Sequence, residues 1–292
     1  MYERVKVSDK DFYMDCPSKI GMIQVSDTEA VFIDSGNDKD AGKKALKLLA
    51  EWGLSLRAVL NTHSHADHIG GNRLLADRTG CKIYAYGKEI PLVREPYLEP
   101  AMTYGGYPLP ELRNKKFMAE PSDALPLKPE DLPDGMEMIH LPGHSPDQVA
   151  FLTKDGTLYA GDAITPVEVL RKYGLGYIWN VEETLKSLEV FRTLEAKTVV
   201  PSHGPLEYDI PRVADFNRDT ILGNGERILG FITGPLTHEK ILQKTFQSYG
   251  IPLNVGQYAL IGCVLRAYLS WLTDRGEITY ELEDGQLYFL KK

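Results

Sequence analysis

Seven histidines are spread over 292 residues, yet three of them fall within six positions, in Thr62-His63-Ser64-His65-Ala66-Asp67-His68. Imidazoles crowded together in a core without a shared partner would leave several polar groups desolvated and unpaired, so a purely structural role explains the cluster poorly. Arg57-Ala-Val-Leu-Asn reads as a short strand running into it, and Asn72 to Arg78 as a helix that stops at Gly80. On an extended segment, side chains two apart share a face, so His63 and His65 can converge on one ion. Asp67 and His68 then turn with the backbone toward a second point. Four ligand-type side chains on one loop exceed what a mononuclear zinc site usually takes from one segment.

Three later segments add donors: His144 in Leu141-Pro-Gly-His-Ser-Pro-Asp, Asp162 in Tyr159-Ala-Gly-Asp-Ala, and His203 in Pro201-Ser-His-Gly-Pro. Each stands at a strand end or turn beside a glycine, which permits the close backbone approach a tight ligand shell needs. Five imidazoles and two carboxylates suffice for two borderline-soft ions with one carboxylate shared and one position left to water. Zinc is the default for this mix, with iron and manganese as alternatives.

Residues 2–34 read as a β-meander, followed by a helix over Lys39 to Trp52 that ends at Gly53. From Tyr86 to Gly135 periodicity fails and prolines accumulate, as in a long excursion that forms a lid or pocket wall. Strand patterns return at Met136 to Leu141, Val149 to Thr153, Thr157 to Ala160 and Thr198 to Pro201, with helices over Val181 to Leu194 and 209–233. Beyond Gly234-Pro235 come helical runs near 237–249 and 256–275, then two strands around Glu283-Asp284-Gly285, a strong hairpin turn.

These motifs, in this order, resemble the metallo-β-lactamase superfamily, and the resemblance covers roughly residues 1–235. It implies an α+β fold, a four-layered αβ/βα sandwich with metals between two sheets, here carrying a small C-terminal helical, winged-helix-like appendage over 236–292. Carried onto matching positions, His63, His65 and His144 would hold the first metal, Asp67, His68 and His203 the second, and Asp162 would bridge. Asp34, in Phe32-Ile-Asp-Ser-Gly, matches an acidic position expected to orient a ligand without coordinating the metal.

The implied activity is a hydrolase in which a dinuclear-metal-bound hydroxide attacks a carbonyl or phosphoryl centre, with Asp67 orienting it and moving its proton. Two divalent ions, two carboxylates and a hydroxide leave a local surplus of about +1, which favours small anionic substrates. No side chain stands out as a general acid, which points to weakly basic leaving groups such as the thiolate of a thioester. The motif is similar to the glyoxalase II type of thioester hydrolase, although Ser64 stands where those enzymes often have a third histidine. True β-lactamases fit less well, because they carry cysteine or serine at the position of Asp162. A lactamase-like nuclease acting on RNA, a mono-iron persulfide dioxygenase and a catalytically silent binding module are the competing readings. Tyr104, Tyr107, Tyr177 and Trp179, with Arg94, Arg171 and Lys172, are candidates for walling the pocket and holding an anionic group.

With 33 basic and 41 acidic residues the net charge is −8, which counts against generic attraction to nucleic acid. Residues 236–292 hold six of each and carry no net charge, so the tail is expected to serve as a packing or homodimer-contact element and not as a DNA-reading wing. Cys16, Cys81 and Cys263 are odd in number and read as free thiols of a reducing compartment. The N-terminus carries no secretory pattern and no apolar run is long enough to span a bilayer, so a cytoplasmic protein without a membrane anchor is expected.

Overall fold

The computed structural model describes residues 2–292. The first sheet runs β1 (Glu3–Lys6), β2 (Asp11–Asp15), β3 (Ile20–Gln24), β4 (Glu29–Ile33), β5 (Ser55–Leu60), β6 (Lys82–Ala85) and β7 (Ala124–Pro126), neighbours in that order. Strands β1 to β4 form an antiparallel meander, and β4 to β7 are parallel, as connections through helices require. Those connections are α1 (Lys39–Glu51), the short α2 (Ala66–Ile69), α3 (Asn72–Thr79), α4 (Glu89–Arg94) and α5 (Leu98–Tyr104). Asp38 caps α1 by accepting from the Asp40 and Ala41 amides, and Gly80 ends α3 in the left-handed conformation.

The second sheet pairs β8 (Glu137–His140), β9 (Val149–Leu152) and β10 (Thr157–Gly161) antiparallel, with β11 (Thr198–Pro201) added parallel to β10. Helices α6 (Val167–Tyr173), α7 (Val181–Phe191) and α8 (Ile210–Phe231) follow its strands. Alternation along β4 shows how the layers are made. Ala30 and Phe32 pack with Ala45, Leu49 and Leu75 of α1 and α3, whereas Val31 and Ile33 pack with Phe151 and Tyr159 of the second sheet. The second sheet's opposite face, through Leu158 and Ala160, packs with Leu188 and Val213 of α7 and α8. The result is the expected αβ/βα sandwich. Gly21 is required where the sheets touch: a Cβ there would lie 2.7 Å from the Tyr159 ring, whose hydroxyl donates to the Phe12 carbonyl at 2.8 Å.

Residues 236–292 form β12 (Leu236–Thr237), α9 (His238–Tyr249), α10 (Val255–Asp274) and a hairpin of β13 (Ile278–Glu283) and β14 (Gln286–Lys291). Asp284 and Gly285 both take positive φ, the two-residue turn its sequence announces. Val264, Leu265, Tyr268 and Leu269 of α10 are buried in the same cluster as Leu188 and Ile228, so the tail shares the core of the second sheet's helices.

The 86–135 excursion is more ordered than its sequence suggests. It holds α4, α5 and the edge strand β7, all masked by prolines. Pro91 and Pro100 are each the third residue of their helix, where a missing amide donor costs no hydrogen bond, and Pro126 ends an edge strand. Helix α6 also goes unannounced, in a segment read as irregular.

Candidate metal centre

Every donor segment leaves a strand at the same rim of the sandwich. His63 and His65 follow β5, with Asp67 and His68 on α2. His144 lies in the β8–β9 loop, Asp162 directly follows β10, and His203 follows the end of β11 with one residue, Ser202, between. Glycines make the approach possible. Gly143 has φ 131°, and a Cβ there would overlap the Thr184 backbone, while at Gly161, φ 55°, it would lie 2.7 Å from Thr62 Oγ1.

The seven side chains converge. Donor atoms of His63, His65 and His144 lie within 4.8 Å of one another, as do those of His63, His68 and Asp162, and those of Asp67, His68 and His203. His144 Nε2 stands 3.0 Å from His65 Nδ1, two ring nitrogens facing one point. Asp162 Oδ2 is 3.6, 3.5 and 3.5 Å from Nε2 of His144, His68 and His203, so this one oxygen is within reach of both ends of the cluster. Asp67 Oδ2 lies 3.2 Å from His203 Nε2.

Outer contacts hold the rings. His144 Nδ1 donates to the Tyr177 carbonyl at 3.1 Å and His203 Nδ1 to the Pro17 carbonyl at 2.7 Å, which turns each Nε2 inward. Asp34 is buried, with φ 60°, a left-handed conformation that aspartate tolerates better than most residues. Its carboxylate accepts from Thr62 N and Thr62 Oγ1, both at 2.8 Å, and from His68 Nδ1 at 2.9 Å. The mainly buried Lys19 donates to the Gly204 carbonyl, bracing the loop that carries His203.

Electrostatics divide the cluster. Burial, reinforced by neighbouring imidazoles, holds His63 and His144 below their ordinary range and takes His65 down to about 3, so all three are neutral donors. Burial also works against protonated His68, but Asp67, Asp162 and Asp34 outweigh it and push the ring well up. Asp162 is the main cause that raises His203 to about 10. Burial would raise Asp67 and Asp162, yet His68 and His203 keep both carboxyls ionised below their usual range. The residues fit divalent ions: His63 Nε2 is buried with no hydrogen-bond partner, and the imidazole and carboxylate donors are those borderline-soft metals take.

A cavity of about 550 Å³ opens over the cluster, with His65, Asp67, His144 and Asp162 at its base. Of the residues singled out to wall it, Tyr177 lines it, and Trp179 lies on a small adjoining cleft with Met102. Tyr104, Tyr107, Arg171 and Lys172 are not on its wall. Tyr107 is bound by Arg113, Arg171 stacks over Phe216, Lys172 lies over Tyr173, and Arg94 donates to the Ala124 carbonyl. The wall is instead made by Asn37, Glu99, Thr103, Lys115, Lys116 and Phe117, closed by Leu260 of α10. His140, outside the cluster, bonds Asp147 at 3.2 Å.

Residues 13–203 match the metallo-beta-lactamase superfamily across all the ligand segments. The chain belongs to that superfamily. Among its relatives, the probable metallo-hydrolase YqgX of Bacillus subtilis is 31% identical over 66% of this chain and 88% of its own length. A hydroxyacylglutathione hydrolase of Methylococcus capsulatus is 30% identical over 53% of this chain, and the match spans 50% of that enzyme. The hydroxyacylglutathione hydrolase GloC of Haemophilus influenzae is 25% identical over 49% of this chain and 65% of its own. A metallo-beta-lactamase family protein from Thermus thermophilus superposes with a TM-score of 0.72 at 19% identity, covering 99% of this chain and 97% of that one. A beta-lactamase domain protein from Burkholderia ambifaria gives 0.76 at 19% identity, over 99% and 94%. The likeness in fold to these two proteins therefore extends through the tail helices.

Proposed function

We propose that this protein is a hydrolase that cleaves an ester-type bond, most readily a thioester, in a small anionic substrate. The observation that carries the reading is the convergence of seven donor side chains at the base of a cavity of about 550 Å³. In this reading His63, His65 and His144 hold one divalent ion, Asp67, His68 and His203 another, and Asp162 reaches both. Such ions, zinc by the donor set, would supply Lewis-acid chemistry there, polarising a carbonyl oxygen and making water a competent nucleophile near neutral pH.

The remaining work falls to the chain. Asp67, ionised and facing the cavity, orients the attacking water and accepts the proton it gives up. Phe117, Tyr177 and Leu260 offer an apolar surface to the acyl or thiol portion. At the mouth Lys115 is held by Asp38 at 2.9 Å, whereas Lys116 is exposed and positioned to meet an anionic group. Resemblance to hydroxyacylglutathione hydrolases, whose names denote thioester cleavage, supports the same bond class.

In the same reading, residues 1–235 are the catalytic part and 236–292 a winged-helix-like appendage that closes the cavity, acting in the cytoplasm. The three cysteines, all free, are consistent with that compartment, and among the described residues no helix is long and apolar enough to cross a membrane. The test is a panel of thioesters, lactones, β-lactams, phosphodiesters and single-stranded RNA offered to zinc-loaded protein. Thioesters should turn over fastest; preferential cleavage of RNA, or no hydrolysis of any member, contradicts the proposal.

A further inference from the structure

Glu89 opens α4 and is only 1% exposed. Each of its carboxylate oxygens takes two donors. Oε2 accepts from Ser64 N at 2.9 Å and Ser64 Oγ at 2.6 Å, and Oε1 accepts from Asp147 N at 2.9 Å and from Ser145 Oγ. Ser64 lies between His63 and His65, and Ser145 directly follows His144. One side chain is thus bonded to both loops that supply the first group of imidazoles, and across those loops His65 Nδ1 and His144 Nε2 stand 3.0 Å apart.

All four donors are neutral. A buried charge held only by neutral groups is a costly way to join two loops, and the cost is offset where cations sit beside the loops so joined. We propose that Glu89 is a positioning residue for the metal centre: it sets the spacing of His65 and His144 and so governs affinity for the ion shared with His63, touching neither ion nor substrate. The inference rests on reading the cluster as a metal centre. Outer groups that fix ligand geometry typically alter metal affinity by about 10- to 100-fold.

The test titrates Zn2+ into wild type, Glu89→Gln, Ser64→Ala and Ser145→Ala against a chromophoric chelator, with the melting temperature of each metal-free protein measured alongside. Glu89→Gln turns one acceptor oxygen into a donor, so the backbone amide on that side loses its partner while the serine hydroxyl beside it must turn from donor to acceptor. Wild type is expected to bind two ions. Glu89→Gln should bind one of them about 10- to 100-fold more weakly and the other within about twofold. The serine variants should show a smaller loss at the same ion, and they decide the matter should Glu89→Gln fail to fold. Unchanged affinity for both ions in every variant overturns the positioning role and leaves the metal centre standing. Equal weakening of both ions in step with the metal-free melting temperature also overturns it, since support of the fold alone would produce that. A wild-type protein that binds no ion removes the metal reading itself, and this inference with it.

Discussion

At Asp38 a single carboxylate serves two structures at once: it caps α1 through the Asp40 and Ala41 amides and holds Lys115 at the mouth of the cavity. Partial burial works to raise its pKa, but Lys115 and the two amides outweigh burial and keep the carboxyl below its ordinary 3.8. The folded state therefore binds this proton less readily than the unfolded chain. The stabilisation is complete above pH 3.8 and is lost as pH falls through the lower folded-state value. Asp38→Ala should cost about 0.5–2 kcal/mol at neutral pH, as removal of an N-cap does. Melting curves of wild type and variant, measured from pH 6 to pH 3, should draw together at the acid end; a gap that stayed constant would contradict the sign. Asp67→Asn retains the shape but not the proton acceptor, and kcat should fall about 10²- to 10⁴-fold with the fold intact by circular dichroism. Retention of more than a tenth of the wild-type rate would remove Asp67 from that role.

Elements matter here for where they end. Strands β5, β10 and β11 and the β8–β9 loop deliver their last residues to one rim, and glycines next to the donors let them close in. That pattern is why the ligand segments were legible in the sequence: histidines and aspartates beside glycines at strand ends follow from chemistry that leaves little choice of residue. The pocket was not legible in the same way. Its wall comes from Glu99, Lys115 and Phe117 of the excursion docking against α10, a contact between positions more than a hundred residues apart that no local pattern encodes. Tyr107 and Lys172 carry suitable chemistry but spend it on local partners, Arg113 and Tyr173. Glu89 was missed because a glutamate ahead of Pro91 looks like any exposed helix start. Leu260 supplies a sharp test of α10 as a wall. Leu260→Ala should raise KM about tenfold and leave kcat within about twofold, the signature of lost uniform binding; an unchanged KM would detach α10 from the substrate.

On the scale of the whole molecule, two sheets are pressed together by Phe151, Tyr159 and their partners, and a common core then runs from the second sheet through α7 and α8 into α10. That continuity carries a prediction. A chain ending at residue 235 uncovers the buried surface that Leu188 and Ile228 share with Leu265 and Tyr268, so it should be insoluble or melt well below the full-length protein. Equal melting temperatures would make the tail an independent attachment. The strands themselves could be read from the short, nearly continuous apolar runs of β3, β4, β9 and β10, which is what strands buried on both faces or nearly so give, whereas the four layers followed from the resemblance to the superfamily. The tail's place in the core could not be read, since an amphipathic helix pattern names a buried face without naming what covers it. The proposed hydrolysis requires seven side chains to grip two cations. Metal content measured by mass spectrometry, after zinc loading and removal of unbound ions, should give two zinc ions per folded chain and none in a folded His63→Ala, His68→Ala double variant. A folded wild-type chain that retains no zinc would contradict the account at its centre.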